Sequence, residues 1–152
     1  MARCHVVCFG NELHGDDGFG IHVYRRLCDF TSVPHVRIFN AGICGLNALS
    51  FLESCRQTIL VDALTASGDV GRVHIFRADD ASFEGRFDGN SHEAGIPYLL
   101  KAARALFHPL PEILIIGVEV ANIVPFNPTL SAPVEHALEP TVELILDRLR
   151  RV

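Results

Sequence analysis

Apolar runs of strand length alternate along the chain with stretches whose apolar residues recur at helical intervals, and this alternation constrains the fold most. The run from His5 to Gly10 reads as a buried first strand, Val36, Ile38 and Phe39 as a second, and Thr58 to Val61, ending in Asp62, as a third. Between them, Ile21, Val23, Tyr24, Leu27 and Phe30 follow Asp16 and Asp17 with helical spacing, and Leu46, Leu49, Phe51 and Leu52 suggest the next helix. Arg72 to Phe76 alternates enough to be an edge or antiparallel strand. After a polar loop over 79–90, Ser91 reads as the cap of a helix carrying Ile96, Leu99, Leu100, Ala103 and Leu106, which Pro109 and Pro111 end. Ile113 to Gly117 is the strongest strand signal; Val134, Leu138, Val142, Ile145 and Leu149 make a last helix that Pro140 should kink or split. The pattern predicts an α/β three-layer sandwich, a mostly parallel sheet with helices on both faces, as a single domain over 1–152.

Thirteen basic against eighteen acidic residues give a formal net charge of −5. That balance opposes attraction to nucleic-acid phosphates, so no nucleic-acid partner is expected. The one basic cluster, Arg148, Arg150 and Arg151, is accounted for by the negative end of a helix dipole. No stretch approaches the ~20 apolar residues of a membrane span, and the first ten residues lack the pattern of a signal peptide. The expectation is a soluble cytoplasmic protein with no membrane insertion. Five cysteines without a CxxC pair suggest reduced, mostly buried thiols rather than a disulfide framework or zinc ribbon, with Cys4 and Cys8 on one face of the first strand.

Open parallel sheets bind ligands at the carboxyl ends of their strands. Asp16 and Asp17 follow the first strand and Asp62 ends the third, so the acids should share that edge. Asp17 and Asp62, joined by His92 from a helix start, outline a divalent-metal site whose three protein ligands leave positions open. Each residue also has a structural reading: Asp16 and Asp17 as cap and dipole partner of the first helix, Asp62 as a turn cap, His92 as an exposed helix-start residue. His14 lies in the same loop as Asp17. Val23 stands where a dinucleotide fingerprint needs its third glycine, and no Walker lysine, GxSxG elbow or HExxH helix is present. Cys44, in the turn from Gly42 to Gly45, is the best placed cysteine for a nucleophile, although a structural or recognition role is the preferred reading.

These residues resemble a known family. Gly10, Asn11, Asp16, Asp17, Gly18, Phe19 and Gly20 resemble the GN(x4)DDGxG signature of the endopeptidases that mature nickel–iron hydrogenases. Val61 to Ala63, Gly71 and Val73, Ser91 to Glu93, and Leu130 with Ser131 follow in that family's order. The resemblance implies a five-stranded twisted sheet and an endopeptidase that removes the C-terminal extension of a hydrogenase large-subunit precursor after nickel insertion. It assigns metal contact to Asp17, Asp62 and His92, with nickel supplied by the precursor and another divalent metal able to substitute; the catalytic residue stays unassigned. A non-catalytic nickel-binding hydrogenase assembly chaperone is the alternative. Where many relatives carry Asp, Gly, Gly, Thr after the second strand, this chain has Asn40, Ala41, Gly42 and Ile43, which are expected to act in substrate recognition.

Overall fold

The computed structural model describes residues 2–30, 33–65, 67–80, 95–121 and 123–152. Among them, strands β1 (Ala2–Phe9), β2 (Val36–Gly42), β3 (Cys55–Thr65), β4 (Val73–Arg77) and β5 (Glu112–Val120) form one sheet in the order β2-β1-β3-β5-β4. The first four in that order run parallel, and β4 closes one edge antiparallel to β5. This is the expected fold class.

The helices explain why the central strands are apolar on both sides. Helices α1 (Phe19–Asp29), α3 (Ala132–His136) and α4 (Leu138–Arg150) cover one face, burying Phe19, Val23, Leu138, Val142 and Ile145 against Val6, Cys8, Ile59, Val61 and Ile116. Helix α2 (Ile96–Leu106) and the segment Gly45–Leu52 cover the other, where Leu99, Leu100 and Leu52 meet Val7, Leu60, Leu64 and Ile115. Each fully buried aliphatic side chain contributes about 2 kcal/mol. Cys4 and Cys8 pack in the first of these cores, and all five cysteines are free thiols.

Several elements depart from their expected form. Gly45–Leu52 is a 3-10 helix rather than an α-helix. Strand β3 continues three residues past Asp62, because Asp62 to Thr65 stay in register with Gly117 to Val120. Phe30 lies beyond α1 and is exposed. The last helix is split at Ala137, as Pro140 required: proline has no N–H to bond the carbonyl four residues earlier, and α4 starts afresh with Thr141 N donating to Ala137 O (3.1 Å). Ser91 and most of the 79–90 loop lie outside the described residues; α2 itself begins at Ile96 with Gly95 as its cap.

The join between β1 and α1 sets the position of everything at the carboxyl edge. A Cβ on Gly20 would lie 2.0 Å from the backbone oxygen of Phe9, and one on Gly18 would lie 2.9 Å from Glu12 Cα. Neither obstacle is a side chain that could swing away, so the helix can seat only without side chains there. Gly20→Ala is therefore expected to destabilise the protein by about 3 kcal/mol or more, measured by urea unfolding; a loss below about 1 kcal/mol would refute the close approach.

Candidate active site

Leaving β1, Gly10 adopts φ +143°, and a Cβ on it would meet the backbone oxygen of Asp17 at 2.2 Å. The loop closes tightly here: Asn11 N donates to Asp17 O (3.1 Å) and to Asp17 Oδ2 (3.2 Å). Asp17 sits in a 3-10 turn, Gly15–Gly18, that has no side-chain cap, so the two acids do not cap the helix as the local pattern suggested. Asp17 is partly buried. Burial raises its pKa above the ordinary carboxylate value, against the opposing pull of the Asn11 amide and of nearby His14.

Asp62 reaches the same edge from the neighbouring strand. Cys8 pairs with Val61, which puts Asp62 one residue beyond the partner of β1's penultimate residue. By strand alternation it shares its face with Leu60 and Leu64, the face covered by α2. Its Oδ1 accepts a hydrogen bond from Ala63 N (2.8 Å). Burial pushes the Asp62 carboxyl up to about 7; the Ala63 amide opposes this and the negative charge of Asp17 adds to it. The two acids are thus close enough to feel one another, and neither belongs to any ion pair among the described residues. A cation between them would relieve both the burial cost and the mutual repulsion.

His92, with Glu93, lies outside the described residues, and among the described residues no group of three His, Cys, Asp or Glu side chains is arranged to hold a metal ion. In the predicted recognition segment, Asn40 Oδ1 accepts from Gly42 N (3.0 Å) and holds its own turn, while Ala41 is buried at a register shift between β1 and β2. Gly42 O accepts from Gly10 N (3.0 Å), tying this turn to the first loop. Ile43 projects outward, 77% exposed. Cys44 donates its thiol to Ala41 O, which gives it a structural bond in the turn.

Two functional-edge features escaped the sequence reading. Asp16, 2% exposed, accepts from Ser131 N (2.6 Å) and Ser131 Oγ (2.8 Å), holding the loop before α3 against the first loop. The adjacency of the two acids in sequence hides their separate tasks. Glu119 is buried on β5 and accepts from Ser67 N (2.6 Å), Ser67 Oγ (2.7 Å) and His74 Nε2 (2.8 Å). Burial alone would raise its pKa, but His74, Ser67 and the Asp69 amide outweigh that and bring it to about 2. A lone acid inside the apolar stretch 113–120 was the available signal.

This architecture can be compared with known proteins. The family model described as hydrogenase maturation protease, HycI, matches residues 21–148. The chain belongs to the hydrogenase maturation protease family. It is a protease. The hydrogenase 2 maturation peptidase of a Thaumarchaeota archaeon is 30% identical, with a TM-score of 0.73 over 97% of both chains. The maturating endopeptidase HybD of E. coli, 23% identical, shares the fold with a TM-score of 0.80 over 98% of this chain and 93% of its own. Among curated relatives, the hydrogenase expression/formation protein HupD of Bradyrhizobium diazoefficiens is 27% identical over 93% of this chain and 75% of its own length.

The raised Asp62 pKa has a measurable consequence for this protease. An unfolded aspartate releases its proton near pH 4, whereas the folded one holds it to about 7, so Asp62 subtracts stability as pH rises through that window. Without added divalent metal, the melting temperature is expected to fall between pH 5 and pH 8, and to fall less in Asp62→Asn; parallel curves for the two proteins would contradict the assignment.

Proposed function

We propose that this protease removes the C-terminal extension of a nickel–iron hydrogenase large-subunit precursor once nickel has been inserted, and that Asp17, Asp62 and His92 meet the nickel carried by that precursor. The observation that carries the reading is the Asp17 and Asp62 pair at the carboxyl edge: two partly buried carboxyls whose proton affinity burial raises, that of Asp62 further by the charge of Asp17, and which lack a basic ion-pair partner among the described residues. Family membership supports a hydrogenase precursor as the substrate. No helix among the described residues is long and apolar enough to cross a membrane, and the five free thiols accord with a reducing cytoplasm.

Chemically, ligation of a substrate-borne ion would fix the precursor's tail against the protease and make cleavage nearly intramolecular. Asp62, with a pKa of about 7, can hold or release a proton at neutral pH, so engagement of a cation displaces that proton into the site. Exposed apolar side chains at the same edge suit a protein substrate better than a small one. Ile43 projects from the β2 turn, and Phe126 is 90% exposed on a loop joined to the first by Asn127 N donating to Leu13 O (2.9 Å). On this reading Asn40, Ala41 and Gly42 shape the turn that presents Ile43 for recognition.

Incubated with nickel-loaded precursor, the protein is expected to shorten it by one defined C-terminal peptide, read by mass spectrometry of the new C-terminus. His92→Ala and Asp62→Ala should reduce that processing at least 100-fold with circular dichroism unchanged. Binding without shortening would return the chaperone alternative, and full processing by both variants would remove the metal-contact reading. Asn40→Asp is expected to alter the relative rates at which several precursors are cut; identical rates would exclude the β2 turn from substrate selection.

A further inference from the structure

The edge of the sheet opposite the acidic pair carries the reverse charge. Arg3 near the start of β1, Arg56 near the start of β3, Arg148 on α4 and Arg151 just after it line one cleft of about 420 Å³, floored by Ile59 and Leu114. The dipole of α4 accounts for Arg148 and Arg151, but it gives no reason for Arg3 and Arg56, which arrive on two separate strands. Those two occupy adjacent strands between the paired positions Ala2 with Cys55 and Cys4 with Gln57, where like charges repel.

Local charge offsets them only in part. Arg151 pairs with Asp147 (2.7 Å), and the one acidic side chain lining the cleft, Glu112, lies 3.7 Å from Arg77 instead. Arg56 and Arg148 enter no ion pair among the described residues, whereas Arg3 donates to a terminal carboxylate oxygen of Val152 (3.5 Å). In a protein of net charge −5, a concave surface lined by four guanidinium groups, of which those of Arg56 and Arg148 have no carboxylate partner among the described residues, is a local reversal of sign. Planar guanidinium forks bind phosphoryl oxygens bidentately, and several of them around one cleft favour a compact ligand carrying more than one negative charge over a single monoanion.

We propose that this cleft is a binding site for a compact polyphosphate-bearing anion, separate from the peptidase edge.

Isothermal titration of the full chain with inorganic pyrophosphate, at constant ionic strength, is expected to show saturable one-site binding. Orthophosphate should bind at least tenfold more weakly. Arg56→Ala combined with Arg148→Ala should weaken pyrophosphate binding at least tenfold, whereas Arg37→Ala, outside the cleft, should leave it unchanged. Citrate distinguishes the source of charge: binding as tight as pyrophosphate would overturn the preference for phosphoryl groups. Non-saturable heats, or equal affinity in the double variant with its circular dichroism intact, would overturn the site. The readout is binding rather than proteolysis, so failure here leaves the cleavage reading untouched, and failure of cleavage leaves this one standing.

Discussion

The close approach of α1 to the end of β1 is the contact on which the carboxyl edge depends. At Gly10, Gly18 and Gly20 backbone meets backbone at distances no side chain would permit, and these three residues bracket Asp17. The carboxylate is therefore held by packing of the main chain itself, with the Asn11 amide fixing its orientation. A site built on such a join gives up adjustability for position. Its geometry follows from the register of β1 beside β3, which brings Asp62 alongside, so the acidic pair is a property of the sheet as a whole.

Burial sets the proton affinity of the pair. A carboxylate in open solvent would stay ionised at neutral pH and interact weakly with its neighbour. Partial enclosure raises the proton affinity of both acids and brings Asp62 to the pH at which proton exchange costs least. Glu119, a few residues along the same edge, shows the opposite outcome of burial: donors from Ser67, His74 and Asp69 hold it ionised, and it anchors the connection between β3 and β4. The number of hydrogen-bond donors facing each carboxyl separates the two roles.

Much of this was legible in the residues. Apolar runs without alternation marked strands buried on both faces, the milder alternation of Arg72 to Phe76 marked the antiparallel edge strand, and Pro140 marked the break between α3 and α4. What escaped was set by partners distant in the chain. Nothing near Leu46 to Leu52 distinguishes a 3-10 helix from an α-helix, because spacing over two turns suits both. The end of β3 was set by pairing with β5, a partner some fifty residues later. Asp16 and Asp17 carry the same charge and adjoin in sequence, yet one turns to Ser131 and the other to Asn11, a division that only tertiary structure creates.

The bond between Asp16 and Ser131 spans 115 positions of the chain. Its closure must come late in folding, since ordering so long an intervening stretch for two hydrogen bonds is entropically unfavourable until the sheet has already drawn the ends together. The loop that bears Phe126 is thereby latched to the loop that bears Asp17 only in a finished molecule. A nascent or partly assembled chain has the acids but lacks the surroundings that position them, which arrive only when the last segment has docked.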